Sequence, residues 1–287
     1  MDEIWLHVAG RLGNRLFQLA AAHQLASRYG ARICYFSDSF HGNSHYDELF
    51  TSFMRACSHV EGIYKSDLRG RFLQISDFLY ARNSNLFDLV NRRLKVTRSM
   101  NAFDSPTFTN QVPRLVTGFF INSQSVLNAG NFTEELSSYV QKIEIRQEIN
   151  MENDYQVVHV RGTDFKGNVY GSLSQLYYAS LPLKHSPTYV VTDDIDHAKA
   201  VTRGINVISY FGPGELDPWQ SLALMSRSKT LYTSNSALSW WGGYLGAIYG
   251  NEIFLPAPFY RENEAADRAL FVRRFNYLPA KFDQIRI

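Results

Sequence analysis

The sequence predicts an α/β protein built from two doubly wound, Rossmann-type domains. A strand, a glycine turn and a helix open the chain, the same pattern restarts at Tyr155, and β-rich and helical segments alternate from there to near the C-terminus. The length of 287 residues is sufficient for two medium-sized domains. We place the junction near residues 146–154, which gives an N-terminal domain over residues 1–150 and a C-terminal domain over residues 151–287.

The opening residues predict the first βαβ unit. Ile4 to Val8 is a short apolar run typical of a strand, and it ends at the turn Gly10-Arg11-Leu12-Gly13-Asn14. Apolar residues then recur at helical spacing, at Leu16, Phe17, Ala20, Ala21 and Leu25. Ala31 to Phe36 is β-rich and predicts a second strand, which closes a unit of the kind that builds parallel sheets.

Further strands and helices follow from the same patterns. We predict one more strand in the first half, over Val112 to Phe120. In the second half the predicted strands are Tyr155 to Val160, Thr188 to Val191, Ile205 to Tyr210, Thr230 to Thr233 and Gly250 to Leu255. Helical patterns lie between them, over Ala198 to Arg203 and Trp219 to Ser228.

Composition excludes several classes of protein. The 29 Lys and Arg nearly balance the 27 Asp and Glu, so affinity for nucleic acid through counterion release is not expected. The two cysteines, Cys34 and Cys57, have no metal-ligand spacing and predict two buried thiols in a reducing compartment. No stretch approaches the roughly 20 apolar residues that span a bilayer, and the N-terminal apolar run lacks a basic region. We therefore expect a cytoplasmic protein.

A basic segment lies in the first half. Residues 66–103 carry seven basic residues against three acidic ones. Two interpretations stay open: a solvated basic face, or a site for an anionic membrane or a phosphorylated acceptor. The second would add peripheral association with the inner face of the membrane.

The glycine turn is the first candidate site. Glycine lets the backbone approach a ligand closely, and the N-terminus of the following helix presents unpaired N–H groups to an anion. Gly10, Arg11, Gly13 and Asn14 are therefore candidate ligand-binding residues. The dinucleotide-binding pattern wants a third glycine where Arg15 stands, so a tight strand-to-helix turn is the alternative.

Two polar clusters follow strands of the second half, where doubly wound sheets bind their ligands. In His159-Val160-Arg161-Gly162-Thr163-Asp164, Arg161 can direct two donors at a phosphate and Asp164 can hold the guanidinium. An Arg–Asp pair that only ties a loop is the alternative. In Thr192-Asp193-Asp194, two carboxylates can hold a metal, or the group can bind a ribose and base. Helix N-capping by Asp194 or Asp196 is the alternative.

A fourth run allows a family to be named. Ser234-Asn235-Ser236-Ala237-Leu238-Ser239-Trp240-Trp241-Gly242-Gly243 follows Leu224-Met225-Ser226, and it resembles a C-terminal motif of the α-1,2-fucosyltransferases, the inverting glycosyltransferase family eleven. The glycine turn continued to Gln18, the His159 hexapeptide, Tyr177-Tyr178 and Thr192-Asp193-Asp194 resemble further elements of that family, in the same order. The resemblance spans residues 10 to about 256.

The resemblance implies a GT-B architecture, two Rossmann-type domains facing a cleft, with GDP-β-L-fucose as donor and no required metal. It implies inverting transfer to the 2-hydroxyl of a galactose-terminated oligosaccharide or lipid-linked glycan, in surface polysaccharide or glycan synthesis. Arg161 would hold the diphosphate, and the N-terminal domain would carry the acceptor. The other implied contacts are His159, Thr192, Asp193 and Asp194 at the nucleoside, Asn235, Ser236, Ala237 and Leu238 at the phosphates, and Gly10, Arg11, Gly13 and Asn14 across the cleft.

The sequence departs from the family pattern at three positions. Gly162 stands where the family usually has a second arginine, Ala237 replaces a serine, and Arg15 replaces a glutamine beside the expected donor site. We hypothesise that the cation of Arg15 partly offsets the charge missing at position 162. Stacking of Trp240, Trp241 and Tyr178 on sugar faces is an alternative to packing in the core.

The sequence leaves the general base and the exact reaction open. Asp164, His159 and carboxylates of the N-terminal half are candidates for the base, with Arg161 and Asp164 as the expected catalytic pair. Another GDP-sugar transferase, such as a protein O-fucosyltransferase or an α-1,6-fucosyltransferase, is one alternative. A non-catalytic nucleotide-sugar-binding protein is another.

Overall fold

The computed structural model describes residues 2–37, 44–58, 60–64, 96–98, 102–106, 108, 110–145, 149, 154–163 and 170–283. The chain divides into two compact units, Met1–Leu136 and Ser137–Ile287, which we call the N-terminal and C-terminal units. The division precedes the predicted junction because the residues just after it pack within the C-terminal unit. The ring of Tyr139 lies 5.1 Å from that of Trp219, and Arg227 Nη2 donates to the carbonyls of Val140 and Ile143 at 2.7 and 2.9 Å.

The N-terminal unit contains a parallel five-stranded sheet. Its strands are β1 (Glu3–Val8), β2 (Arg32–Ser37), β3 (Val60–Tyr64), β4 (Val96–Arg98) and β5 (Leu115–Thr117), in the order β3-β2-β1-β5-β4. Its helices are α1 (Leu12–Tyr29), α2 (Ser44–Ala56), α3 (Ser123–Leu127) and α4 (Phe132–Gln141), the last of which crosses the division.

Helix α1 forms where the apolar spacing predicts it. Leu16, Phe17 and Leu25 are fully buried. The helix ends at Gly30, which takes a left-handed φ of 61° and donates its N–H to the carbonyl of Ala26. The chain then enters β2, so the predicted βαβ unit is confirmed.

The C-terminal unit contains a parallel six-stranded sheet. Its strands are β6 (Gln156–Val160), β7 (Thr188–Thr192), β8 (Ser209–Phe211), β9 (Thr230–Tyr232), β10 (Glu252–Ala257) and β11 (Asn276–Pro279), in the order β11-β10-β9-β6-β7-β8. Its helices are α5 (Gln175–Ala179), α6 (Ile195–Val201), α7 (Pro218–Arg227), α8 (Ala237–Ile248) and α9 (Glu264–Leu270). This is the doubly wound Rossmann order, which the sequence predicts.

The structure also contains elements that the sequence patterns miss. The predicted strand over Ile205 to Tyr210 is shifted to β8, and β11 is not predicted at all. The sequence patterns do not predict helix α8, because its glycines lower helix propensity. These glycines allow close packing, because a Cβ at Gly242 would lie 2.8 Å from Met225 Cβ on α7. Among the described residues, no helix is long and apolar enough to cross a membrane.

Candidate functional site

The winding of the C-terminal sheet reverses between β6 and β9. From β6 the chain builds outward through β7 and β8, then returns to the other side of β6 to form β9, β10 and β11. Loops that leave the carboxyl ends of two strands at such a reversal run in opposite directions and leave a crevice, where ligands bind in doubly wound sheets. The loops at this edge begin at Arg161, Thr233 and, after the neighbouring β7, Asp193. The second-half motifs therefore meet at one edge.

The carboxylate of Asp193 holds the loop that follows β6. Arg161 Nη1 lies 3.0 Å from Asp193 Oδ2, Gly162 N donates to Oδ1 at 2.8 Å, and Thr163 Oγ1 donates to Oδ2 at 2.5 Å. Burial raises the pKa of Asp193, but Arg161 and the hydrogen bonds from Thr163 and Gly162 outweigh it and hold the pKa below its ordinary value. Asp193 is therefore ionised and fixes the position of the Arg161 guanidinium, whose side chain keeps 14% of its surface exposed.

His159 connects the two strands on either side of the crevice. Its Nδ1 shares a hydrogen bond of 2.7 Å with Ser234 Oγ. Burial, reinforced by the charge of Arg161, lowers the pKa of His159 well below its ordinary value, although Asp193 acts in the opposite direction. The imidazole is neutral at neutral pH and weakly basic, which disfavours His159 as the general base.

Two tyrosines of α5 hold the ends of these strands. Tyr178 Oη donates to the carbonyl of His159, and Tyr177 Oη donates to the carbonyl of Thr233, both at 3.4 Å. Both side chains are buried, so sugar stacking on Tyr178 is wrong. The Tyr177-Tyr178 pair packs beneath the crevice and fixes its backbone.

Asp194 differs from Asp193 in its role. Its Oδ1 accepts from His197 N at 2.9 Å, which caps α6, so the N-cap alternative is confirmed for Asp194 and not for Asp196. Thr192 Oγ1 binds the backbone of Asp194, accepting from its N–H at 3.0 Å. In the part of the chain that the structure describes, no three His, Cys, Asp or Glu side chains are grouped as metal ligands.

The N-terminus of α8 lies at the end of the loop that follows β9. Its N-cap, Ser236, has an extended backbone and makes no capping hydrogen bond with its side chain. The first bond of the helical ladder is from Trp240 N to the carbonyl of Ser236, so the N–H groups of Ala237 and Leu238 have no acceptor within the helix. Both residues are half-buried, and the end of α8 is thus suited to an anion.

Other residues of the run from Ser234 to Gly243 are buried behind the site and stabilise it. Asn235 is fully buried, and its Nδ2 donates to the carbonyl of Gly171 at 2.8 Å, which ties down that loop. Trp240 and Trp241 are fully buried, and Trp240 Nε1 donates to the carbonyl of Leu270 at 3.0 Å. The alternative that these indoles stack on sugar faces is therefore wrong.

Gly162 has a steric explanation that the sequence does not reveal. A Cβ at this position would lie 2.8 Å from His197 Cδ2 and 3.1 Å from Asp194 Cβ. An arginine here would require the His197 ring, and to a smaller extent Asp194, to shift. Glycine therefore lets this loop pack closely on the start of α6.

The glycine turn of the N-terminal unit is held by its own side chains. Gly10 has a left-handed φ of 81°, and Gln18 pins the turn by accepting from Ala9 N at 3.0 Å. Arg15 is 1% exposed, its Nε donates to the carbonyl of Gly10 at 2.8 Å, and its guanidinium lies 5.2 Å from the centre of the Phe50 ring. The hypothesis that Arg15 offers a cation to the donor is therefore wrong.

The remaining predicted residues of the turn are divided between surface and interior. Arg11 is exposed and is the N-cap of α1, but its side chain makes no capping hydrogen bond. Gly13 is buried, and Asn14 is half-buried. Asp164 lies outside the described residues, as does most of the basic segment over residues 66–103.

Comparisons with known proteins identify the fold. No protein-family model matches the sequence, and neither does any curated protein. The heptosyltransferase WaaC of E. coli, solved with ADP, is 8% identical over 96% of this chain and 93% of its own, with a TM-score of 0.52. A putative UDP-N-acetylglucosamine 2-epimerase from Listeria monocytogenes is 10% identical over 97% and 84%, with a TM-score of 0.50.

A fucosyltransferase is also among the matches. NodZ from Bradyrhizobium is 14% identical over 85% of this chain and 94% of its own, with a TM-score of 0.48. At identities this low, the structural matches to WaaC and to the epimerase show the fold alone and not a substrate. The chain has the GT-B fold of WaaC, with two Rossmann-like domains.

Proposed function

We propose that this protein is a glycosyltransferase that transfers L-fucose from GDP-β-L-fucose, with inversion, to the 2-hydroxyl of a galactose-type acceptor. The observation that carries the proposal is the Arg161 guanidinium, which Asp193 holds at the β6–β9 crevice. The loop that follows β9 at the same edge leads into the open N-terminus of α8. The resemblance of the ordered motifs to the α-1,2-fucosyltransferases supplies the donor, the linkage and the acceptor class.

The chemistry follows from the charge that develops during transfer. Breaking the bond between sugar and phosphate leaves a negative diphosphate and a cationic, oxocarbenium-like sugar. Arg161 and the N–H groups of Ala237 and Leu238 stabilise the departing diphosphate more than they stabilise the bound donor. The alanine at position 237 suits this role because a backbone N–H, and not a hydroxyl, makes the contact.

The other residues at the crevice have roles in donor binding and in proton transfer. Asp193 orients Arg161, and neutral His159 with Ser234 lines the crevice beneath the nucleotide. The acceptor hydroxyl attacks from the face opposite the diphosphate, and a base takes its proton late. Because its pKa is lowered, His159 is unsuited to that step. Asp164 is our candidate for the base.

The proposal includes metal independence and a place of action. Fixed positive charge from Arg161 and a helix N-terminus replaces a divalent cation at the diphosphate. We expect a chelator to leave transfer unchanged, and restoration of lost activity by magnesium or manganese would refute this part. The acceptor is a galactose-terminated oligosaccharide or a lipid-linked glycan, handled in the cytoplasm or at the inner face of the membrane.

The experiment first compares the binding of nucleoside diphosphates and then determines the linkage in the transfer product. We expect GDP to raise the melting temperature of the protein more than ADP or UDP at equal concentration. GDP-fucose with a galactose-terminated disaccharide should then give an α-1,2-linked product by NMR. A 1,6-linked or peptide-linked product would favour another GDP-fucose transferase. Stabilisation by GDP without transfer or donor hydrolysis would indicate a non-catalytic binding protein, and preference for ADP would exclude GDP-fucose as donor.

A further inference from the structure

The N-terminal sheet also has a reversal of winding, between β1 and β5. The chain builds outward from β1 through β2 and β3, and β5 returns to the other side of β1. Gly10 follows the carboxyl end of β1, and Gly118, Phe119 and Phe120 follow that of β5. By the rule that applies to the C-terminal sheet, this edge is a ligand-binding position.

The backbone at the end of β5 directs one phenylalanine inward and one outward. Gly118 has a φ of 126°, and Phe120 has a φ of 49°, in the left-handed region that bulky residues rarely occupy. Phe120 is fully buried, whereas Phe119 is 39% exposed. Such strain persists where the surrounding structure enforces it, and it is concentrated at ligand sites.

The exposed ring borders a bare backbone and an amide. A Cβ at Gly10 would lie 3.4 Å from Phe119 Cε1 and 3.2 Å from Asn14 Nδ2, so the absence of a side chain keeps both groups uncovered. The Asn14 side chain makes no hydrogen bond in the described part of the chain. Its amide is therefore available both to donate and to accept.

The chemistry of this edge suits a neutral sugar. The apolar C–H face of a pyranose packs on an aromatic ring, and an amide with a free donor and a free acceptor matches its hydroxyl groups. The buried guanidinium of Arg15 points to the Gly10 carbonyl and to Phe50, so it does not present a phosphate-binding cation here.

We propose that Phe119 is the stacking platform for the pyranose ring of the acceptor, with the Asn14 amide binding its hydroxyl groups. This rests on the proposed function, because the acceptor is the neutral sugar that a fucosyltransferase must hold apart from its charged donor. The platform lies wholly within the N-terminal unit.

The test measures sugar binding without donor, by saturation-transfer NMR with methyl β-D-galactopyranoside. The variants are Phe119→Ala, Phe119→Tyr and Phe108→Ala, the last a matched control because Phe108 is 40% exposed in the same unit. We expect Phe119→Ala to weaken binding about 10-fold, the scale of an aromatic contact. The tyrosine and control variants should bind as the wild type does, and all should keep its melting temperature and GDP affinity.

Two results would overturn the platform. One is equal galactoside affinity in the wild type and Phe119→Ala, including absence of binding in both. The other is a loss of GDP-fucose affinity in Phe119→Ala with galactoside binding unchanged, which would assign the ring to the donor sugar. Failure of the proposed function would look different, because the wild type would then fail to bind GDP or transfer fucose while the galactoside comparison still gave its answer.

Discussion

The sheets of the two units both reverse their winding beside the first strand, and they differ in the side chains that lie at this reversal. In each, a first strand is flanked by strands of an outward run on one side and of a return run on the other. The C-terminal crevice carries an ion pair between Arg161 and Asp193 and an open helix N-terminus. The N-terminal edge carries the exposed ring of Phe119 and the amide of Asn14. In doubly wound sheets the reversal marks where a ligand binds, and the side chains found there suit an anion in the C-terminal unit and a neutral group in the N-terminal unit.

Two arginines make the contrast concrete. Arg161 is partly exposed, with its guanidinium held at the crevice by Asp193. Arg15 is 1% exposed and donates to the backbone of its own turn. Under the proposed function, Arg161 serves mainly the ligand and Arg15 mainly the fold. Substitution of Arg161 should therefore affect activity most, and substitution of Arg15 should affect stability most.

The largest effect is expected from Arg161→Ala. Removing a charge donor from the transition state should lower kcat by at least ~100-fold, and loss of the ion pair with Asp193 should lower the melting temperature without unfolding the protein. Arg273→Ala, at an exposed arginine far along the chain, is the control and should keep full activity. Steady-state kinetics with GDP-fucose measures both, and a kcat like that of the wild type in Arg161→Ala would reduce the Arg161–Asp193 pair to a tie for the loop.

Arg15→Gln, at the glycine turn of the N-terminal unit, should lower stability and leave GDP binding unchanged. Loss of the charged hydrogen bond to Gly10 should lower the free energy of unfolding by about 1.5–3 kcal/mol. GDP affinity should not change, because the guanidinium points into the unit. Urea denaturation and calorimetry check the two parts. A drop in GDP affinity with intact stability would contradict the assignment and restore Arg15 as a donor contact.

The sequence predicted the residues at the reversal of the C-terminal sheet better than those at the reversal of the N-terminal sheet, for a physical reason. Strands β6, β7 and β9 are buried throughout, so continuous apolar runs mark them and the polar clusters after them. Phe119 carries no such signal, because its exposure depends on the left-handed φ of Phe120. Likewise, the direction of Arg15 and the crowding at Gly162 arise from tertiary packing that no local pattern encodes.

The stability of the protein should depend on pH through His159, which lies at the C-terminal crevice. The pKa of His159 is lowered in the folded protein, so below about pH 6.5 the unfolded chain binds a proton that the folded one does not. The free energy of unfolding therefore falls as pH is lowered, by about 2 kcal/mol between pH 6.5 and pH 5 from this group.

Urea denaturation at pH 7 and pH 5 of the wild type and of His159→Asn checks this. Asparagine retains a donor for Ser234 but does not titrate, so the variant should lose less stability on acidification. Equal losses in both proteins would mean that His159 is protonated in the folded state and that the crevice is open to water.

The smallest effect separates the two neighbouring aspartates. Asp194 caps α6 by accepting from His197 N, so Asp194→Ala should lower the free energy of unfolding by about 1 kcal/mol. Asp196→Ala is the control, since Asp196 lies in the first turn of α6 without capping it, and this substitution should lower the free energy of unfolding less.

GDP affinity should stay at the wild-type value in both variants, whereas Asp193→Ala should weaken GDP binding by releasing Arg161. Calorimetry with GDP decides the matter: a loss of affinity in Asp194→Ala comparable to that in Asp193→Ala would mean that both carboxylates serve the nucleotide.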